Sequence, residues 1–270
     1  VRDLKRRIPV VRRAREYHLY SVSGKRYLDL WQNGGQTLLG HRPGRLTTVL
    51  KDTISKGLIA DLPSVFGGRL IRMLKIMFPA YREFRLIGSP AEALQLASLY
   101  LGRSIDAAEV IDPLLQPGPA EDRPVSFWRP LLPDPPAAEV LFPVLPLAMA
   151  GAPLVVCFRG SPPRDFPAQA PISGVLLAGL LRSLHELRHF TMPPWVRPDL
   201  LAGCAGWRRE QLYLIPEFDL ADYERVFEAF LDAQVLLSPE APYLSILPGG
   251  EISKGELGKM IGLFRTYPGE

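Results

Sequence analysis

"YSVSGKRYLDLWQNGGQTLLGHRPGRLTTVLKDTISKGL", Tyr20 to Leu58, carries two periodicities in immediate succession. Apolar and polar residues alternate over Tyr17–Val22 and again over Arg26–Leu30, with Ser23 and Gly24 between them. Alternation marks a strand with one buried face, and a Ser-Gly pair supplies the turn, so this part predicts a β-hairpin. The spacing then changes. Leu46, Val49, Leu50 and Ile54 recur every three or four residues and stop at Gly57, which is one apolar helix face closed by a glycine. A strand pair feeding directly into a helix predicts an α/β chain.

The alternation of element types continues outward. "GRLIRMLKIMF" predicts a helix ended by Pro79, "REFRLIGS" a strand, and "PAEALQLASLYLGR" a helix with Pro90 in its first turn, where a missing N–H does no harm. Between Arg103 and Pro136 proline is so frequent that long helices and central strands are excluded, leaving a connecting segment with at most a short strand such as "VSFW". Apolar strands are expected near Glu139–Leu145 and Pro153–Phe158, followed by the leucine-striped helix "ISGVLLAGLLRSLHELRHF". The tail reads as α+β. It has a strand at "QLYLI", helices at "DLADYERVFEAFLDAQ" and "SKGELGKMIGLFRTY" capped by Asp219 and Ser253, and one or two strands in "VLLSPEAPYLSIL".

Composition excludes several function classes. Among 270 residues, 47% are hydrophobic and 22% charged, as in ordinary globular proteins, and no apolar run is long enough to span a membrane. Cys157 and Cys204 are too few for a disulfide framework, and "VRDLKRR" lacks the apolar stretch of a signal peptide. A cytoplasmic protein is expected. The net charge of +4 owes much to Arg2, Lys5, Arg6, Arg7, Arg12, Arg13 and Arg15. With no nucleic-acid motif beside it, this cluster reads as a solvated arm, and no nucleic-acid partner is expected. Lysine is absent between Lys75 and Lys254, so the middle of the chain holds no primary amine for a Schiff base.

The opening stretch resembles the N-terminal region of the class III pyridoxal-phosphate-dependent aminotransferases. Gly24, Tyr27-Leu28-Asp29, Gly34-Gly35, Leu39-Gly40-His41 and Pro43 stand where that family has its hairpin and "L-G-H-x-x-P" elements, with one residue fewer before the proline. "RLIGSPAEALQLASLYLGR" is similar to the family's phosphate-binding strand and helix. "AMAGAPLVVCFRG" is similar to the segment after its catalytic lysine, and "APISGVLLAGLLRSLHEL" to a later helix. The resemblance implies a reduced fold-type-I large domain with a small α+β domain. Residues 1–66 would contribute to the small domain, 67–190 would form a shortened large-domain remnant, and 191–270 the C-terminal α+β part. It also implies a homodimer.

The departures from the family are chemical. The resemblance puts the catalytic lysine seven positions before Pro153, where this chain has Pro146. The phosphate loop reads Ser89-Pro90-Ala91, with proline in place of a glycine whose N–H would face the phosphate. The ring-stacking aromatic and the aspartate for the ring nitrogen belong to a section here shrunk to the residues after Arg103. No catalytic residue and no cofactor are therefore expected. The sequence implies a noncatalytic binding, scaffolding or regulatory protein, with a protein partner or a small metabolite as ligand. An alternative is a residual aminotransferase-type enzyme on amino-group compounds, holding pyridoxal phosphate noncovalently.

"HELRH" matches H-E-x-x-H, in which two histidines one helical turn apart bind zinc and the glutamate acts as base. His185 and His189 with Glu210 would be the ligands and Glu186 the base of a zinc hydrolase. The plainer alternative is a packing helix whose histidines sit at its polar end, favoured there by the macrodipole.

Overall fold

The computed structural model describes residues 3–116, 124–132, 137–147, 149 and 151–267. The helices are α1 (Leu46–Ser55), α2 (Val65–Met77), α3 (Pro90–Leu101), α4 (Gly174–Arg188), α5 (Tyr223–Asp232) and α6 (Lys254–Thr266). The strands are β1 (Val11–Arg15), β2 (His18–Ser21), β3 (Arg26–Asp29), β4 (Glu83–Ile87), β5 (Val125–Trp128), β6 (Val140–Pro143), β7 (Leu154–Phe158), β8 (Trp207–Glu210), β9 (Tyr213–Pro216), β10 (Val235–Leu236) and β11 (Ser245–Ile246). They form two compact units, Val1–Pro43 with Phe190–Glu270, and Gly44–His189.

The unit Gly44–His189 has a sheet in the order β4-β7-β6-β5, antiparallel except for the parallel pair β5/β6. Its strands are buried on both faces, as period-two alternation requires when helices cover both sides. Leu141, Val155 and Cys157 pack with Leu70 and Leu74 of α2 and Leu177, Leu180 and Leu184 of α4. Val140, Phe142, Val156 and Phe158 turn the other way, onto Ala93, Leu96 and Ala97 of α3. Helix α3 starts at Ser89, whose hydroxyl accepts from the Glu92 N–H, and ends at Gly102 in the left-handed region (φ 67°). The short strand expected at "VSFW" is β5. A buried ion pair secures the connection around it, the Arg129 Nε lying 3.0 and 2.9 Å from the two Asp112 carboxylate oxygens. The rest of the proline-rich section, 117–123 and 133–136, lies outside the described residues.

The compact units divide at 43/44, where the family resemblance implied a boundary at 66/67. The cause is α1, which belongs to the sheet unit. Leu50 lies where Gly179 of α4 has no side chain, 3.1 Å from the place a Cβ would take. The Val175 N–H donates to the Leu58 carbonyl at 3.2 Å.

In the other unit the hairpin of β2 and β3 forms as expected, with Leu19 opposite Tyr27 and Gly24 at φ 83° in the turn. β1 adds to it on one side and β10, in parallel, on the other. A second sheet, β11-β9-β8, is antiparallel. Trp207 stacks edge-on against Phe264 of α6 (ring centroids 4.9 Å) and donates its indole N–H to the Tyr267 carbonyl at 2.9 Å. The basic stretch is not a loose arm: Arg12, Arg13 and Arg15 are in β1. Arg7 pairs with Glu228 at 3.0 Å, Lys5 pairs with Glu240, and Arg13 lies over the Tyr20 ring. Arg2 lies outside the described residues.

Ser253 and Glu256 close α6 with a reciprocal capping box, and the same Glu256 carboxylate takes hydrogen bonds from the His18 ring and Arg26, both at 2.8 Å. Burial alone would raise this carboxyl. The Ser253 hydroxyl, the His18 ring and the Ser253 N–H outweigh it and hold the group below its ordinary value of 4.5. A depressed carboxyl contributes stability that is whole above the unfolded pKa and is lost as pH falls through the lower folded value. Glu256→Gln is expected to lower the thermal midpoint at neutral pH and to flatten its decline below about pH 4.5, as read by melts across that range. In the sheet unit, Leu184 is 0% exposed and Ile54, on the predicted apolar face of α1, is 48% exposed. Leu184→Ala is expected to lose about 2–5 kcal/mol in urea unfolding, whereas Ile54→Ala should stay within about 0.5 kcal/mol of the parent chain.

Candidate functional site

The segment between β6 and β7 holds Pro146. The chain leaves β6 with the Val144 N–H donating to the Trp128 carbonyl at 2.8 Å. It then makes two tight turns, the Leu147 N–H reaching the Leu145 carbonyl and the Met149 N–H the Leu147 carbonyl, each at 3.0 Å. Pro146 is buried, and Leu147 is 2% exposed. Leu145, Leu147 and Met149 pack into the core against α4. Gly179 of α4 faces this segment: a Cβ there would stand 3.4 Å from Leu147 Cδ1 and 3.6 Å from Met149 Sδ, ordinary contact distances, with Leu50 closer at 3.1 Å. Ala148 and Ala150 lie outside the described residues. At the far end of the segment, Cys157 is fully buried and its thiol is pushed well above its ordinary range by that burial, so it has the character of core rather than of a nucleophile.

The loop Ser89-Pro90-Ala91 leads from β4 into α3 and is partly to fully exposed. The backbone donors on either side of it, at Gly88 and Glu92, meet the chain's own acceptors. Ser89 Oγ accepts from the Glu92 N–H at 3.2 Å, and Glu92 Oε2 reaches back to accept from the Gly88 N–H at 3.0 Å. Pro90, at the first helical position, has no N–H to offer. A carboxylate from within the helix thus sits where a helix N-terminus attracts negative charge. The spacing "S-P-A-E" carried this signal, since serine followed three residues later by glutamate is a capping-box pattern.

The histidine helix forms, and its last turn brings the His185 and His189 rings to 4.5 Å between centroids. Both side chains are exposed. The polar groups of this turn bond locally. The His189 Nδ1 donates to the His185 carbonyl at 2.8 Å, and Glu186 pairs with Arg182 one turn back. Glu210, on β8 of the other unit, lies 3.7 Å from Arg208. Among the described residues no group of three or more His, Cys, Asp or Glu side chains is placed to hold a metal ion. Each carboxylate the zinc reading needs is instead neutralised by a neighbouring arginine.

The motif residues of the opening stretch converge in one buried arrangement. Asp29 is 2% exposed. Its Oδ1 accepts from the Trp31 and Gln32 N–H groups at 3.0 and 2.9 Å, and its Oδ2 lies 2.8 Å from His41 Nε2. The following residues run through the left-handed region, Gln32 at φ 47° and Asn33 at 48°, and the Asp29 carboxylate holds the first of these turns in place. Gln32, fully buried, donates through its side-chain amide to the Ile246 and Leu247 carbonyls at 2.9 and 3.2 Å. The spacing of Asp29 and His41 is visible in the sequence, but their pairing is not.

No protein-family model matches the chain. It is 28% identical to an uncharacterized protein of Treponema pallidum (strain Nichols), over 91% of each chain. An uncharacterized protein of Borreliella burgdorferi matches at 46% identity over 26% of each. The glutamate-1-semialdehyde 2,1-aminomutase of Heliobacterium modesticaldum is 34% identical over 35% of this chain and 22% of that enzyme, so the shared part is a minor fraction of the aminomutase. Among solved structures, an omega-transaminase from Sphaerobacter thermophilus superposes with a TM-score of 0.70 at 14% identity, covering 95% of this chain and 90% of that one. A glutamate-1-semialdehyde aminomutase from Pseudomonas aeruginosa PAO1 superposes at 0.71 and 13% identity, covering 95% and 86%. The structural neighbours and partial homologues are class III pyridoxal-phosphate-dependent aminotransferases, and the chain has their α/β, fold-type-I architecture.

Proposed function

We propose that this chain is an aminotransferase-fold protein without pyridoxal-phosphate catalysis, working as a noncatalytic binding, scaffolding or regulatory protein. The carrying observation is the packing of the segment around Pro146. A Schiff base needs a primary amine beside the cofactor aldehyde. This segment offers a buried proline flanked by Leu145 and Leu147, in a chain with no lysine from position 76 to 253.

The residues present do not fit the cofactor. Besides the amine, it needs backbone donors for its phosphate; of those at this helix start, the Gly88 and Glu92 N–H groups are bonded to the Glu92 and Ser89 side chains and Pro90 has none, which leaves Ser89 and Ala91. The aromatic and aspartate that the family resemblance asks for would fall in a section that lies partly outside the described residues. No helix among the described residues is long and apolar enough to cross a membrane. The reading includes a homodimer, which the family resemblance implies, a cytoplasmic setting, which the cysteine usage suggests, and a protein partner or a small metabolite as ligand.

The partial identity to glutamate-1-semialdehyde aminomutases favours the second reading, an enzyme on amino-group compounds with the cofactor held noncovalently. One titration separates the two. Purified full chain is mixed with pyridoxal phosphate, its absorbance followed, and the mixture reduced with borohydride and mapped by mass. The expected result is an unsaturable spectrum and no adduct at one stoichiometric site. A saturable shifted band fixed by borohydride at a single lysine contradicts the noncatalytic reading. A saturable band that borohydride does not fix supports the second one.

A further inference from the structure

A groove of about 410 Å³ lies within the unit Gly44–His189, along the outer edge of β4. Ile71 of α2, Ile172 and Leu177 of α4 make it largely apolar. β4 pairs with β7 on one side, and among the described residues it ends the sheet on the other. An open sheet edge is a template for another strand unless something covers it.

Part of this edge is already answered in the manner of a strand. The Leu86 N–H donates to Gln169 Oε1 at 2.8 Å, and Gln169 Nε2 donates to the Leu86 carbonyl at 2.6 Å. A side-chain amide has the donor and acceptor pair of a peptide group, so Gln169 stands in for one residue of a missing neighbour. Backbone groups alternate in direction along a strand. Phe84, two residues before Leu86, therefore directs its own N–H and carbonyl the same way, where an incoming strand would replace the long contact of 3.4 Å that Arg85 Nη1 makes to that carbonyl, and it lines the groove. Two further polar atoms in the lining, Ser64 Oγ and Arg85 Nε, are buried with no hydrogen-bond partner. Buried groups of this kind are costly unless a ligand or water completes them. The charge around the groove is one-sided. Lys75, Arg82 and Arg85 contribute to the lining, against the single carboxylate of Glu83, which Arg85 already pairs.

We propose that this groove takes an extended peptide from a partner protein, apolar at its centre and acidic at its flanks, which adds to β4 as a further strand and pairs with Phe84. The apolar floor would receive the alternate side chains, the Phe84 peptide group would fix the register, and Lys75 and Arg82 would meet the acidic flanks. This site is separate from the segment around Pro146, so its test and the cofactor titration are read independently.

The probe is a fluorescein-labelled peptide with alternating leucine and valine at its centre and glutamates at both ends, titrated with the full chain by anisotropy. Saturable binding is expected, weakened about tenfold or more when lysines replace the glutamates and lost when the central amides are N-methylated. Gly67 lines the groove and has room, a Cβ there meeting only Leu177 Cδ1 at 3.9 Å, so Gly67→Phe should fill the space and abolish binding. Should that variant not fold, Lys75→Glu with Arg82→Glu, both at exposed positions, should reverse the preference toward the lysine peptide. Four results would overturn the proposal: no saturable binding, equal binding of the N-methylated peptide, no response to either variant, or a second copy of the chain covering the groove, seen in sedimentation as a self-association that Gly67→Phe abolishes.

Discussion

Burial of β6 and β7 on both faces is the constraint on which the rest of the sheet unit depends. Alternate residues of the two strands feed opposite cores, Leu141 and Cys157 toward α2 and α4, Phe142 and Val156 toward α3. Neither strand can shift register by one residue without exchanging its two apolar sets. The connection between them is therefore fixed at both ends, and its Leu147 and Met149 side chains fall against α4 beside Gly179. What happens at position 146 follows from this packing. A side chain with an ammonium group would have to be desolvated between Leu145 and Leu147, which pack into the hydrophobic core.

The same logic applies at the two other places where chemistry was expected. At the start of α3 the helix answers its own N-terminus with Ser89 and Glu92. At the end of α4, Glu186 turns to Arg182 rather than to the imidazoles. In each case a local interaction, available within one helical turn, satisfies a group that a bound cofactor or metal would otherwise need. Asp29 shows the same economy, its two oxygens holding a left-handed turn and a histidine at once.

Much of the fold was legible in the sequence because its signals are local. The hairpin around Gly24, the glycine stops at Gly57 and Gly102, the capped start of α6 and the short strand at "VSFW" all rest on spacing within a few residues. What was not legible is either exposed or distant. β1 reads "VRRAR" and β8 reads "WRRE"; both are edge strands whose charged side chains face water, so neither shows the alternation that marks a half-buried strand. The parallel pairing of β3 with β10 joins residues over two hundred positions apart and leaves no local trace. The placement of α1 with the sheet unit depends on Gly179, which looks like any other small residue in a leucine-striped helix. For the candidate site, the prolines at 146 and 90 are plain in the sequence, while the roles looked for at those positions come from the family resemblance. The spacing of Ser89 and Glu92 is a capping signal, but that the Glu92 carboxylate reaches the Gly88 N–H and that the Gln169 amide answers Leu86 depends on which backbone group comes within reach.

The most direct measurement is the thermal unfolding midpoint of the full chain as a function of pyridoxal phosphate concentration. A ligand that binds only the folded state raises stability by RT ln(1 + [L]/Kd), so a working site must move the midpoint upward as the cofactor is added. A midpoint that stays flat, or falls slightly as surface lysines react, is the expected result. A rise that grows with the logarithm of cofactor concentration would contradict the claim that the segment around Pro146 has become core.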